Sequence, residues 1–320
     1  MEKRVEEYYV THQNGRFGKK ITEKYFFYRR TMCEVINISH LYEGKYDVSK
    51  NRTSKRDDYV IDRLIGTGTG HVEVFSGWDR SLSKAVAIKV LDLHQSDCNQ
   101  ITNEIAIRKL LDSEMNNYYP KIFDSFQENG YQYIVMELAQ YDLFHVIETK
   151  GKLGENLAKN CFRQILEGVD YLHKRMIAHR DLKLENILIK HTSKSNNTFR
   201  LLLTDFGLSS HFENGSTKVN DCSGTLNYLS PEEIRTINDT NYDSYCALKC
   251  DIWSLGILLY VMLQGVFPFT NVRDVLNHKW KPIYRGISIM AQDLIEKMLN
   301  FSPLGRPSTV ELLQHPWLLE

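Results

Sequence analysis

The stretch "IAHRDLKLENILIK", residues 177–190, decides the fold because it sets six polar side chains between apolar runs. A second stretch, "LLLTDFGLSS" at residues 201–210, supplies another carboxylate after a strand-like run. Asp181, Asn186 and Asp205 would place hard oxygen ligands and one potential base in loops that follow strands or helices. The alternative is a salt-bridged surface turn, and the joint pattern favours a catalytic loop.

A glycine-rich turn, "IGTGTGHVEV" at residues 65–74, lies upstream between two strand-like runs. Gly66, Gly68 and Gly70 would let backbone N–H groups approach phosphate oxygens. On its own the turn is weak evidence, and three glycines in a tight hairpin would be the more frequent explanation. A dinucleotide-binding turn is disfavoured, because such glycines lead into a helix and these lead into strand-like "VEVFSGW".

The run "VAIK" places Lys89 where the neighbouring residues are apolar, and a helical pattern downstream carries Glu104. A buried lysine needs an anion, and Glu104 could orient it toward a phosphate. Taken alone, both residues could instead be solvated surface charges.

In their order along the chain, the glycine turn, "VAIK", "HRDLKLEN", "DFG" and "SPE" resemble the motifs of eukaryotic-type serine/threonine protein kinases over residues 59 to 317. The resemblance implies an α+β, bilobal protein kinase fold at residues 59–320. A β-rich N-lobe with one main helix would cover about residues 59–138, and a mainly helical C-lobe about residues 139–320. Residues 1–58 would form an N-terminal extension of unknown role.

The periodicity of the sequence agrees with this division. Strand-like runs dominate the first part ("YVIDRLI", "VEVFSGW", "AVAIKV", "YQYIVMEL"), and a helical pattern at residues 99–111 interrupts them. From residue 155 onward apolar positions follow helical spacing. The polar run "SKNRTSKRDD" at residues 49–58 is typical of a linker.

The resemblance implies that ATP and Mg²⁺ bind between the lobes. Lys89 would hold the α- and β-phosphates and pair with Glu104, while Asn186 and Asp205 would hold Mg²⁺. The remaining nucleotide contacts would come from the glycine turn, the neighbouring strands and the hinge: Ile65, Gly66, Gly68, Gly70, Val74, Ala87, Met136, Glu137, Ala139 and Asp142.

The catalytic residues implied by the resemblance are Asp181 and Lys183. Asp181 would accept the proton of the substrate hydroxyl, and Lys183 would offset charge on the transferring γ-phosphoryl group. Lys183 and the "GT" of "GTLNYLSPE", with Thr225, are typical of kinases that act on serine and threonine. Protein substrates are therefore the expected partners.

Three other residues are implied to have structural roles. Glu232 of "SPE" would pair with Arg306, and Asp251 of "DIWSLG" would brace the catalytic loop from a buried helix. The interval between Glu232 and Asp251 is longer than usual in the family, and we expect "RTINDTNYDSYC", residues 235–246, to form a surface insertion.

The subfamily stays open. The C-terminal half, with "DIWSLGILLYVMLQGVFPF" and "HPWL", looks most like the calcium/calmodulin-dependent kinase group, whereas "VFSGWDRSLSKAVAIKVL" is closer to dual-specificity and Clk-type kinases. The sequence ends after "HPWLLE" without a calmodulin-binding helix, so calcium control is not expected.

Two other classes compete with an active protein kinase. A pseudokinase scaffold would bind nucleotide without turnover. Its only support is the glycine turn, whose third family glycine falls at His71 when counted from Gly66. Lys89, Asp181 and Asp205, the residues that pseudokinases usually lose, are present. A small-molecule or lipid kinase is disfavoured by the peptide-binding segment "GTLNYLSPE".

Substrate preference and regulation rest on single residues. Glu185 and Asp142 occupy positions where related kinases meet basic residues upstream of the phosphosite, although both could be solvated and Asp142 could contact ribose. Asp221 stands where related kinases carry a phosphothreonine, so Arg180 could pair with it. Asp221 could equally be an ordinary loop residue, and the phosphosite could be Ser216, Thr217 or Ser223.

Bulk composition excludes some partners. Forty Lys and Arg residues balance forty Asp and Glu residues, so charge gives no reason to expect nucleic acid or an anionic membrane. The six cysteines lack the spacing of a zinc site and are interpreted as reduced thiols. The N-terminus has no signal-peptide core, and the longest apolar run, residues 252–263, is too short to span a bilayer. We expect an intracellular protein, cytoplasmic or nuclear, of undetermined oligomeric state.

Overall fold

The structure, a computed structural model, describes residues 6–13, 20–27, 59–68, 72–94, 98–112, 117–193, 198–213, 215–238, 244–283 and 286–319. The chain divides into two units, Met1–Lys50 and Asn51–Glu320. In the first unit, β1 (Glu6–Gln13) and β2 (Lys20–Phe27) form an antiparallel hairpin. The predicted linker at residues 49–58 lies outside the described residues, and the domain boundary at residue 58 stays a prediction.

The second unit begins with a five-stranded antiparallel sheet of order β3-β4-β5-β7-β6. Four of its strands coincide with the strand-like runs of the sequence, and the helix α1 coincides with the predicted one. The edge strand β6 was not predicted, because polar residues interrupt its apolar ones. These elements are β3 (Tyr59–Gly68), β4 (Val72–Asp79), β5 (Lys84–Asp92), α1 (Cys98–Asp112), β6 (Ile122–Glu128) and β7 (Tyr131–Glu137).

The remainder is mainly helical, with short strands that frame its loops. The helices are α2 (Leu143–Lys150), α3 (Glu155–His173), α4 (Pro231–Asn238), α5 (Ala247–Gln264), α6 (Val272–Leu276), α7 (Ile289–Met298), α8 (Thr309–Leu313) and α9 (Pro316–Leu319). The strands are β8 (Tyr141–Asp142), β9 (Ile177–Ala178), β10 (Ile187–Ser193), β11 (Thr198–Leu203), β12 (Ser210–His211), β13 (Lys218–Val219) and β14 (Tyr245–Cys246).

Helix α5 forms the centre of the helical part. Its residues are apolar on nearly every side, and such a helix is stable only when it is surrounded by other elements. By length and hydropathy alone it could cross a membrane, but 83% of it is buried inside the fold. It belongs to one large apolar cluster that also includes α3, α7 and α9.

Side-chain alternation along β5 positions the site. Val86, Ile88 and Val90 pack into one apolar cluster of the sheet, while Ala87 and Leu91 pack into the cluster that includes α1. Successive residues of a strand point to opposite faces. Lys89 therefore lies on the same face as α1 and its carboxylates.

The expected surface insertion at residues 235–246 is wrong at both ends. Residues 235–238 continue α4, and Tyr245–Cys246 forms β14, which pairs with β13. Tyr245 is buried, and its hydroxyl donates to the backbone oxygen of Asp221 at 2.5 Å. Residues 239–243 lie outside the described part of the chain.

Candidate active site

The ion pair predicted for Lys89 is present and has a third member. Lys89 Nζ lies 2.6 Å from Glu104 Oε2 and 3.0 Å from Asp205 Oδ1. Burial opposes the charged form of Lys89, but the two carboxylates outweigh it and raise the pKa of Lys89. Lys89 in turn lowers the pKa of Asp205 despite its burial. The lysine and Glu104 are buried, so solvated surface charges are excluded.

The carboxylate of Asp181 is held on both oxygens. Oδ2 accepts from Lys183 Nζ at 2.6 Å and from Asn186 Nδ2 at 3.1 Å, and Oδ1 accepts from Thr225 Oγ1 at 2.7 Å. Lys183 Nζ also donates to Thr225 Oγ1 at 2.9 Å. The sequence suggested Thr225 only as a mark of serine/threonine specificity, and its contact with Asp181 was missed. Three side chains thus hold this one carboxylate in place.

Asp251 of α5 braces this loop from below, as predicted. Its carboxylate accepts from the backbone N–H groups of His179 at 2.8 Å and Arg180 at 2.9 Å, and it contacts His173 Nε2 at 2.9 Å. Arg180 has φ +66°, a left-handed conformation that a non-glycine residue adopts only at a cost. Two backbone donors on one buried carboxylate stabilise that conformation.

The β10–β11 hairpin brings the two proposed metal ligands together. Ile187 pairs with Leu203, and the N–H of Thr204 donates to the backbone oxygen of Asn186 at 3.0 Å, so Asn186 lies beside Asp205. Asn186 Nδ2 donates to the backbone oxygen and to Oδ2 of Asp181, and no hydrogen bond to the side-chain oxygen of Asn186 is present among the described residues. One amide oxygen and one carboxylate are hard donors of the kind that suit Mg²⁺ bound together with phosphates. The residues present therefore fit this ion.

The two strands that flank the glycine turn are present as predicted, and they pair with each other. Gly66 lies opposite Val74, and Gly68 lies opposite Val72. Gly70 lies outside the described residues, as does His71. Val74, Ala87 and Met136 belong to the same apolar cluster, whereas Ile65 is largely exposed.

The hinge, residues 137–139 at the end of β7, is anchored by the β10–β11 hairpin. Arg200 Nη2 lies 2.8 Å from Glu137 Oε1, and Lys190 Nζ donates to the backbone oxygen of Leu138 at 2.7 Å. Among the described residues no hydrogen-bond partner is present for the backbone N–H of Ala139. The Glu137 side chain is thus turned to the hairpin, and Ala139 keeps a free donor.

Asp142 has a local partner. Its Oδ1 accepts from the N–H of His145 at 2.7 Å and so caps α2. Its predicted contact with nucleotide stays a prediction.

A lysine held between two carboxylates, a pair of hard oxygen ligands and a fixed carboxylate at the junction of two lobes define an enzyme class that handles nucleotide phosphates. Residues 59–318 match the family described as "Protein kinase domain". The chain belongs to this family, in its eukaryotic serine/threonine type. The family and the bilobal α+β fold predicted from the sequence are confirmed.

Three relatives illustrate the similarity. Calcium-dependent protein kinase 4 of Plasmodium falciparum is 32% identical over 315 residues, covering 94% of this chain and 55% of the relative. Serine/threonine-protein kinase pim-2 of Danio rerio is 34% identical over 279 residues, covering 82% and 85%. Serine/threonine protein kinase OSK3 of Oryza sativa subsp. indica is 32% identical over 271 residues, covering 81% and 50%. The chain spans about half the length of two of these relatives.

Proposed function

We propose that this protein transfers the γ-phosphoryl group of ATP to serine and threonine hydroxyls of protein substrates, with Asp181 as the catalytic base. The observation that carries the proposal is the carboxylate of Asp181, held by Lys183, Asn186 and Thr225. Phosphoryl transfer depends mainly on positioning and on electrostatic stabilisation of the reacting groups. A carboxylate held by hydrogen bonds to both oxygens provides positioning.

The charged and polar residues around Asp181 would have separate roles in the transfer. Asp181 would orient the substrate hydroxyl and accept its proton, and Lys183, 2.6 Å away, would offset negative charge on the group in transfer. Asn186 and Asp205 would hold Mg²⁺, which supplies charge neutralisation on the phosphates when bound. Lys89 would contact the α- and β-phosphates from the other side, with Glu104 keeping it in place.

Adenine would lie against Val74, Ala87 and Met136, which form one apolar surface. The backbone of Glu137 would bind the edge of adenine together with the N–H of Ala139, which has no partner among the described residues. Ile65 and the glycines of the β3–β4 hairpin would cover the nucleotide from above.

Asp181→Asn tests the base. The variant keeps the shape of Asp181 and one acceptor oxygen but cannot take a proton, so turnover should fall by roughly two to four orders of magnitude with nucleotide affinity unchanged. The assay uses Mg-ATP and a mixed peptide library, with phosphoserine, phosphothreonine and phosphotyrosine measured separately. Glu296→Gln, the same loss of charge on the exposed face of α7, is the control and should be silent.

Two results would reject parts of the proposal. Near-native turnover of Asp181→Asn would remove Asp181 from the mechanism. Nucleotide binding by the parent protein without any phosphorylation would favour the pseudokinase alternative, a scaffold that binds nucleotide without turnover.

The proposed kinase is expected to prefer substrates with basic residues upstream of the phosphosite, for an electrostatic reason. Burial raises the pKa of Glu185, and the nearby Asp181 and Asp142 carboxylates raise it further, although Lys183 opposes the rise. Arginine side chains would pair with such carboxylates in bidentate geometry. The library should show enrichment of arginine two or three positions before serine or threonine, and Glu185→Gln should weaken it. A flat profile contradicts this preference.

The proposal places the protein inside the cell, in the cytoplasm or nucleus. Its nucleotide is an intracellular one, and Cys161, Cys222, Cys246 and Cys250 are free thiols. Fractionation of cells that express the full chain would test this placement.

A further inference from the structure

Asn103 of α1 reaches the segment that follows Asp205. Its Nδ2 lies 3.2 Å from the backbone oxygen of Phe206, 3.1 Å from that of Gly207 and 2.6 Å from that of Ser209. Two N–H groups on one nitrogen are thus surrounded by three carbonyl oxygens more than one hundred residues away in sequence. Asn103 directly precedes Glu104, the partner of Lys89.

Two other residues of α1 contact the same segment. A side chain at Gly207 would begin 3.6 Å from Gln100 Cβ, so the helix passes this glycine in van der Waals contact. The guanidinium carbon of Arg108 lies 5.3 Å from the ring centre of Phe206, within cation–π range. Asn103 and Gln100 are three positions apart and therefore share one face of the helix.

The segment needs such support because it follows a strained residue. Asp205 has φ +68°, in the left-handed region that non-glycine residues adopt only when their surroundings hold them there. The backbone of Asp205 must keep this conformation for its carboxylate to stay 3.0 Å from Lys89 Nζ. The three carbonyls held by Asn103 begin at the very next residue.

We propose that Asn103 is a positioning residue that fastens α1 to residues 206–209, so that Glu104 and Asp205 reach Lys89 together. Asn103 acts through these groups and touches neither nucleotide nor peptide. Its importance for turnover rests on the proposed function of Lys89 and Asp205. The fastening itself does not, because it joins one helix to one backbone segment.

Asn103→Asp is the sharpest test. Aspartate has nearly the same shape but no N–H, and its charge would face three carbonyl oxygens. Hydrogen exchange measured by mass spectrometry on the parent protein and the variant should show amides of residues 206–213 exchanging about tenfold faster, the factor for the loss of about one net hydrogen bond. Amides of α5 should be unchanged.

The matched control is Asn160→Asp, which makes the same charge change on an exposed position of α3. It should leave exchange and turnover at the parent values. In steady-state assays Asn103→Asp should lower kcat about tenfold while the KM for peptide stays constant, a split that general destabilisation would not produce. Asn103→Ala removes the donors without adding charge, and it replaces Asn103→Asp if the latter does not fold.

Unchanged exchange at residues 206–213 in Asn103→Asp and Asn103→Ala would overturn the proposal. Equally faster exchange in α5 would also overturn it, because Asn103 would then support the whole fold. If the parent protein proves to have no kinase activity, the proposed function fails, and the exchange experiment still decides whether Asn103 fastens the two elements.

Discussion

The ion pairs Lys89–Glu104 and Arg180–Asp221 both connect separate elements of the chain, and they differ in solvent exposure. Lys89 and Glu104 have side chains only 8% and 6% exposed. Arg180 and Asp221 lie 2.7 Å apart, but the Asp221 side chain is 57% exposed. The first pair connects β5 with α1, and the second connects the catalytic loop with the segment between "DFG" and "SPE", residues 205–232.

The difference in exposure predicts which of the two ion pairs can be removed without loss of the fold. A buried charge left without its partner is strongly unfavourable, whereas a half-exposed one is solvated by water and screened by salt. Partial burial opposes the charged form of Asp221, but Arg180 outweighs it and lowers its pKa. The first pair is therefore expected to be indispensable and the second to tune activity.

Lys89→Met should have the largest effect. Removing the phosphate contact should lower turnover by roughly two to three orders of magnitude. The buried Glu104 carboxylate would lose its partner, so the free energy of unfolding should fall by about 3 kcal/mol. Steady-state assays and urea denaturation measure the two effects. Lys89→Met combined with Glu104→Leu should recover stability but no turnover. Turnover near the parent value in the single variant would contradict the assigned role.

Glu233 differs from both pairs, because it is buried and forms no ion pair among the described residues. Its neighbour Glu232 pairs with Arg306, at 2.5 Å. Glu233 accepts only from Ser230, at 2.8 Å from the backbone N–H and 2.7 Å from the hydroxyl, among the contacts of the described residues. Burial raises the pKa of Glu233 from 4.5 to about 7.

The sign of this effect is fixed by the raised pKa. The folded state retains a proton that the unfolded state has lost, so the stabilising contribution is fully present below about pH 4.5 and is lost as the pH rises to about 7. Glu233→Gln keeps an acceptor for Ser230 and cannot ionise. Relative to the parent, it should gain about 1 to 3 kcal/mol between pH 5 and pH 8.

Denaturation curves over this pH range measure the gain. Glu232→Gln is the comparison variant. It should be destabilised at every pH, because Arg306 loses the negative charge of its partner and one of its two acceptor oxygens. Parallel pH profiles for Glu233→Gln and the parent would show that Glu233 is ionised in the fold.

Much of the fold could be predicted because its signals are local. The runs that became β3, β4, β5 and β7 alternate or are apolar over their whole length, and α1 has a helical pattern. Strand β6 was missed because an edge strand, half exposed, needs no continuous apolar run. Tyr245 was assigned to a surface loop because polar neighbours dominate that window, and its burial depends on β13.

The site shows the same limit. Asp181, Asn186, Asp205 and Lys89 stand in motifs whose spacing is visible in one sequence. Contacts between distant segments are not visible there. Thr225 lies 44 positions from Asp181, and Asn103 lies more than one hundred positions from the carbonyls it contacts. No periodicity in the sequence predicts such a contact between distant residues. The contact forms only when the two lobes and the segment at residues 205–232 have packed together.

The second ion pair provides the prediction with the smallest expected effect. Asp221 is held in several ways: its carboxylate pairs with Arg180, it accepts from Ser223 Oγ at 2.9 Å, and its backbone oxygen accepts from Tyr245. Arg180 also donates to Ser210 Oγ at 2.9 Å. The segment is thus fastened to the catalytic loop by a carboxylate where related kinases use a phosphate.

We therefore expect phosphatase-treated protein to keep its activity, and Asp221→Asn and Arg180→Ala each to lower it about threefold to tenfold, the range for the loss of a partly exposed pair. Steady-state assays at low and high salt provide the control. Screening should lower the activity of the parent, because the Debye length falls from about 10 Å at 0.1 M to about 3 Å at 1 M, but should change Asp221→Asn less. Loss of activity on dephosphorylation, with little effect of Asp221→Asn, would show that Ser216, Thr217 or Ser223 carries the switch. Activity that survives dephosphorylation but falls in both variants would support a role for the Arg180–Asp221 pair in holding the segment on the catalytic loop. That exposed pair would then act through charge alone, whereas the Lys89–Glu104 pair acts through both charge and burial.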